Sequence, residues 1–140
     1  MQRHKSQVQD LMTANPFVVE PETSLYDAYT LMFEKEIRRL PVVHGKTLVG
    51  IVTLSDIQRV LPSAFGEADT DTQLQVMRLT VSDVMTPDPV TVTPEDTIQE
   101  VAEEMLENQV SALPVVQNER VVGIITESDI FKFIVSSWSE

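Results

Sequence analysis

The sequence contains no cysteine, four glycines and only 6% aromatic residues, and its 10 basic side chains face 22 acidic ones. Without a thiol there is no disulfide framework, no thiolate nucleophile and no cysteine-based metal site. The two histidines, His4 and His44, stand alone with no second ligand at metal spacing and no nucleophile beside them, so neither a metal site nor a catalytic residue is expected. The net charge of −12 is uneven: residues 1–70 carry 7 basic and 9 acidic side chains, residues 71–140 carry 3 and 13. Such a scarcity of cations argues against a nucleic-acid surface, whose affinity comes largely from contacts to phosphates. A mononucleotide, needing one or two local cations, stays open. No apolar run approaches the roughly 20 residues that span a bilayer, and the opening MQRHKSQVQD lacks a signal-peptide core. The expectation is a cytoplasmic protein with neither a membrane nor a nucleic-acid partner.

What the sequence does have is an internal repeat. A shift of 73 places lays Asp10–Ile57 on Asp83–Ile130 without a gap, and 20 of those 48 positions are identical. Two copies are too few for a solenoid, so a closed pair is expected, each copy covering the other. In each copy an amphipathic helix comes first. Leu25, Ala28, Tyr29, Met32 and Phe33 follow Ser24, with Asp27 three places on; Ile98, Val101, Ala102, Met105 and Leu106 follow Thr97, with Glu100 three places on. A strand hairpin comes next in each, Leu40–Val43 with Leu48–Val52 around His44-Gly45-Lys46, and 113–116 with 121–125 around the polar turn Gln117–Arg120. A second helix closes each copy, Ser55–Leu61 and Ser128–Val135, the latter with Ile130, Phe131, Phe133 and Ile134 as its apolar side. Ahead of the first helices, Phe17–Val19 and Val90–Val92 read as short edge strands bounded by prolines. Pro62–Thr72 is a loop by composition, and Gln73–Leu79 has room for a helical turn.

The fold class is therefore α+β (α/β), two β-α-β-β-α repeats packed as a pseudo-two-fold pair: repeat one over 8–61, a linker over 62–80, repeat two over 81–135. Met12, Met32, Met77, Met85 and Met105 read as packing. Trp138, close to Phe131 and Phe133, fits either a core position or an exposed contact.

The ordered set D-x-M-T, helix, L-P-V-V, V-G-I and T-x-x-D-I, present twice, resembles the cystathionine β-synthase (CBS) domain pair, also called a Bateman module. The resemblance covers nearly the whole chain. It implies a regulatory module without chemistry of its own, which binds AMP, ADP, ATP, S-adenosylmethionine, NADH or a related ligand and signals to a separate effector protein. It also implies a homodimer formed through the helices, and no catalytic cofactor; Mg²⁺ would accompany only ATP. A structural dimerisation module with no small-molecule ligand is the alternative.

Gly50-Ile-Val-Thr53-Leu-Ser-Asp56 and Gly123-Ile-Ile-Thr126-Glu-Ser-Asp129 hold the residue types a nucleotide needs. An aspartate carboxylate can accept from both ribose hydroxyls, and a threonine at a helix start offers a hydroxyl beside free backbone N–H groups. The same T-x-x-D spacing is also an acidic capping box that closes a helix without any ligand; the two readings are compatible. By resemblance, site one joins Arg38, Arg39, Ile51, Thr53 and Asp56 to an adenine pocket of Met85, Thr86, Val90, Val110, Ser111 and Ala112. Site two joins Thr126 and Asp129 to Thr13, Phe17, Ile37 and Arg38, with Ile124 beneath the base. Where copy one has Arg38-Arg39, copy two has Ser111-Ala112 and, further on, Glu127, so site two is expected to bind phosphate more weakly. Surface pairing of Arg38 and Arg39 with Glu34 or Glu36 is the plainer account of those arginines.

Overall fold

The structure, a computed structural model, describes residues 6–60 and 69–138. His4, Leu61 and most of the expected Pro62–Thr72 loop lie outside the described residues.

In chain order the elements are α1 (Val8–Leu11), β1 (Thr13–Ala14), α2 (Leu25–Lys35), β2 (Arg39–His44), β3 (Thr47–Thr53), α3 (Leu54–Gln58), α4 (Thr70–Met77), α5 (Val81–Val84), β4 (Thr86–Pro87), α6 (Ile98–Asn108), β5 (Ala112–Gln117), β6 (Arg120–Thr126) and α7 (Glu127–Trp138). Both amphipathic helices start where their capping residues sit. Ser24 Oγ accepts from the Asp27 N–H at 3.0 Å, and Thr97 Oγ1 from the Glu100 N–H at 3.1 Å. Both end on a residue in the left-handed region, Glu36 (φ 56°) and its repeat mate Gln109 (φ 55°). The hairpins also match, each with a register shift, between Val42/Val43 and between Val115/Val116. The helical turn expected over Gln73–Leu79, within the linker, is a full helix, α4, which begins at Thr70 inside the expected loop.

The chain forms two compact units. A continuous unit spans Phe17–Asp88; a split unit joins the chain up to Pro16 with the chain from Pro89 onward. The start of each sequence repeat therefore packs with the body of the other. In the continuous unit, β4 pairs antiparallel with β3 (Ile51 with Thr86), the Val81 N–H donates to the Thr23 carbonyl at 2.8 Å, and Val81 is fully buried with Leu25, Ala28, Met32, Leu40, Val52 and Ile57. In the split unit, β1 pairs with β6 (Thr13 with Ile124), the Val8 N–H donates to the Asp96 carbonyl at 2.8 Å, and Val8 is fully buried with Val101, Met105, Leu113, Ile125 and Ile130. Each unit is a three-stranded antiparallel sheet, β2-β3-β4 or β5-β6-β1, with helices covering its apolar face. Burial of the apolar faces at about 25 cal/mol per Å² drives this packing.

Glycine makes the close approach possible. A Cβ on Gly50 would stand 2.9 Å from the Thr86 carbonyl oxygen and 2.5 Å from Met85 Sδ; on Gly123 it would stand 3.0 Å from the Thr13 carbonyl oxygen and meet Met12 Sδ. A side chain at either position would hold the two-residue strand away from the hairpin.

Three expectations change. Phe17–Val19 and Val90–Val92 are not strands: each makes a single parallel bridge, Val19 with Val42 and Val92 with Val115. Phe33 and Leu106 are 78% and 80% exposed, because the i+8 position lies some 80° round the helix from the stripe's first residue. On α7, Phe131 and Trp138 also face solvent, so Trp138 is not a core residue, whereas Phe133 and Ile134 pack against the core.

Candidate functional site

In the continuous unit, strand β3 runs directly into α3 at Thr53, and the T-x-x-D segment closes that junction. Thr53 Oγ1 accepts from the Asp56 N–H at 3.1 Å while Asp56 Oδ2 accepts from the Thr53 N–H at 2.9 Å. The capping reading of this motif is thus realised. It leaves chemistry to spare: among the described residues the threonine hydroxyl serves only as an acceptor and keeps its O–H to donate, and the cap itself uses just one of the two carboxylate oxygens.

The register around this junction gathers the other candidates. Arg39 pairs with Thr53 across β2 and β3, the Leu54 N–H donates to the Arg38 carbonyl at 2.7 Å, and Ile51 pairs with Thr86 on the far side of β3. Arg38, Arg39, Ile51, Thr53, Asp56, Met85 and Thr86 therefore belong to one unit, as do Phe17 and Ile37. Arg38 is exposed and, among the described residues, makes no ion pair with Glu34 or Glu36. Arg38 and Ile37 line a groove of about 540 Å³ with Tyr29, Met32, Phe33, Glu34, Glu36 and Leu54. Leu54, the residue after Thr53, lines it, whereas Thr53 and Asp56 do not. Phe17 is half exposed, with the Lys35 ammonium 5.1 Å from its ring centre.

The split unit repeats the arrangement. Thr126 Oγ1 accepts from the Asp129 N–H at 3.3 Å and Asp129 Oδ2 from the Thr126 N–H at 2.9 Å; the Glu127 N–H donates to the Ser111 carbonyl at 2.9 Å, Ala112 pairs with Thr126 and Thr13 with Ile124. Thr13, Val90, Val110, Ser111, Ala112, Ile124, Thr126 and Asp129 share this unit. Ser111 and Ala112 stand where the continuous unit has its two arginines, so that arginine pair is confined to one copy.

One pair has no counterpart among the sequence motifs. Arg59 Nη2 donates to Asp56 Oδ1 at 3.1 Å, and its repeat mate is Lys132, also three residues after the aspartate. The gap-free repeat ends at Ile57 and Ile130, two positions short of this basic residue. Its recurrence at the same offset was the available signal.

A family model described as CBS domain matches residues 8–63 and again residues 81–136. The chain belongs to the CBS domain family. It is a tandem CBS pair, and solved structures that resemble it are CBS pairs as well. CBSX2 in complex with AMP is 30% identical with a TM-score of 0.78, over 94% of this chain and 97% of that one. The CBS domain pair of protein MJ0100 in complex with 5′-methylthioadenosine and S-adenosyl-L-methionine is 27% identical, TM-score 0.80, over 94% and 98%. Among curated relatives, protein MJ1225 of Methanocaldococcus jannaschii is 36% identical over 129 residues, and inosine-5′-monophosphate dehydrogenase of Korarchaeum cryptofilum is 40% identical over 114 residues. The chain spans 46% of the first and 21% of the second, so in that dehydrogenase the CBS pair is one part of an enzyme. No helix among the described residues is long and apolar enough to cross a membrane.

Proposed function

We propose that this CBS pair is a regulatory sensor of adenine nucleotides, with no catalysis of its own, that passes ligand occupancy to a separate effector protein. The carrying observation is the Thr/Asp box at each strand-to-helix junction. Each holds a threonine O–H free to donate and a carboxylate oriented by its own backbone bond, which is the donor and acceptor set a ribose requires. AMP bound to CBSX2 and the two adenosyl ligands bound to MJ0100 support the ligand class. Arg38 and Arg39 favour a phosphorylated ligand, AMP, ADP or ATP, at the continuous-unit site, with Mg²⁺ if ATP is the ligand. The split unit, with Ser111 and Ala112 in their place, suits a ligand of lower negative charge.

Repeats 8–61 and 81–135, joined by 62–80, remain the proposed functional division, with the module working as a homodimer in the cytoplasm. Ligand drives a change in the effector only through a difference in affinity between two states of the module. Isothermal titration with AMP, ADP, ATP, NADH and S-adenosylmethionine tests this reading: at least one binds below millimolar concentration, and binding by none would end it.

The capping boxes close without any ligand, and this favours a second reading, a structural dimerisation module. Asp56→Ala separates the two. A sensor loses ligand affinity, whereas a scaffold binds none before or after and loses only its cap and the Arg59 ion pair.

A further inference from the structure

Both oxygens of Asp56 are engaged: Oδ2 by the Thr53 N–H at 2.9 Å and Oδ1 by Arg59 Nη2 at 3.1 Å. The aspartate side chain is 11% exposed and the arginine 73%. A ribose diol approaching the carboxylate therefore meets a guanidinium already on the oxygen that the cap leaves over. The split unit differs: among the described residues Lys132 makes no ion pair, and the Asp129 carboxylate is held through the backbone bond to Oδ2.

We propose that Arg59 is a ligand-selecting latch. It holds Asp56 while the site is free, and it turns to the phosphate of a 5′-phosphorylated adenosyl ligand once the ribose takes over the carboxylate. The proposal rests on the reading of Asp56 as a ribose acceptor. Exposed ion pairs are weak because water screens them, so the ribose can displace this one. Whether the exchange is favourable depends on the ligand. A phosphate returns a bidentate anionic partner to the guanidinium, and the exchange then gains free energy. Adenosine, or a cationic adenosyl ligand, takes the carboxylate and offers nothing back. Arg59 thus differs from an arginine that only contacts phosphate: it makes ribose binding conditional on phosphate. The split unit, with a lysine that supplies a point charge and does not hold Asp129, lacks this condition.

The test is isothermal titration of AMP and of adenosine into the full chain carrying Asp129→Ala, which silences the split-unit site, with Arg59 intact or changed to Ala or Gln. Arg59 is exposed, so both changes leave the fold intact, checked by circular dichroism. With Arg59 present, AMP binds at least about tenfold tighter than adenosine. Removing Arg59 narrows that ratio about tenfold, with AMP weakening and adenosine tightening about two- to threefold as its competitor disappears. Equal weakening of both ligands, or an unchanged ratio, overturns the latch while leaving the ribose reading intact. Binding of neither ligand with Arg59 present overturns the ribose reading itself, and the latch with it.

Discussion

Replacing Gly50 by alanine tests the exchange of segments directly. Gly50 has no positive φ, so alanine fits its backbone and the cost is steric. The new Cβ would stand 2.9 Å from the Thr86 carbonyl oxygen, where ordinary contact begins at 3.4 Å, so β4 must retreat by 3.4 − 2.9 = 0.5 Å. Met85 Sδ is nearer still, but a methionine side chain rotates aside, whereas the Thr86 carbonyl is fixed by the pairing of Ile51 with Thr86 and by the Asp88 N–H donating to the Val49 carbonyl at 3.1 Å. Overpacking of this kind costs roughly 1–3 kcal/mol. The reduced freedom of the unfolded chain returns about 0.4–1 kcal/mol. The net loss is about 0.5–2 kcal/mol, a fall in Tm of roughly 2–8 °C. Hydrogen exchange locates it: the Asp88 amide loses protection first. Adding Met85→Ala recovers little if the carbonyl is the obstacle, as a double-mutant cycle measures. A Gly50→Ala protein with unchanged Tm and an Asp88 amide as protected as before would refute the reasoning.

Asp56→Ala removes a cap and an exposed ion pair, about 1–2 kcal/mol together by urea denaturation, and weakens AMP by about a hundredfold through two lost charge-assisted hydrogen bonds. Asp129→Ala costs about 1 kcal/mol, from the cap alone, and leaves the phosphate preference of the continuous-unit site untouched. Gln109→Gly, at φ 55°, relieves the left-handed strain at the end of α6 and raises stability by about 1 kcal/mol, seen as a Tm gain of roughly 3–5 °C.

The repeat, the hairpins and the capping boxes were legible because each is encoded locally, in a period, a turn or a residue three places from its partner. Most left-handed positions recur with the repeat, Asn15 with Asp88, Glu36 with Gln109 and Gly45 with Asn118; Glu119, opposite Lys46, does not. The exchange of α1-β1 with α5-β4 was not legible. Both copies carry D-x-M-T, a glycine that admits it and a buried valine before it (Val8, Val81), so similarity cannot say which copy a segment joins. Helical periodicity likewise placed Phe33 and Leu106 in the apolar stripe but not at its solvent edge. At the site, the spacing of Thr53 and Asp56 encodes the cap that the structure forms, and the same two residues carry the proposed ligand set. Arg59 was missed because its role comes from a side-chain contact and not from a motif.

The split unit has a consequence for synthesis. Residues 17–88 leave the ribosome in one stretch and can close their core once β4 has emerged. The preceding segment cannot. Val8, Leu11 and Met12 must wait, apolar and uncovered, until α6, β5 and β6 have been made, and they then close a loop of roughly 70 residues. Closing so long a loop costs little more stability than a short one but slows the search. The half that folds last is thus the one whose first residues are made earliest, and a chaperone or protease meeting the nascent chain would find its target in residues 8–12.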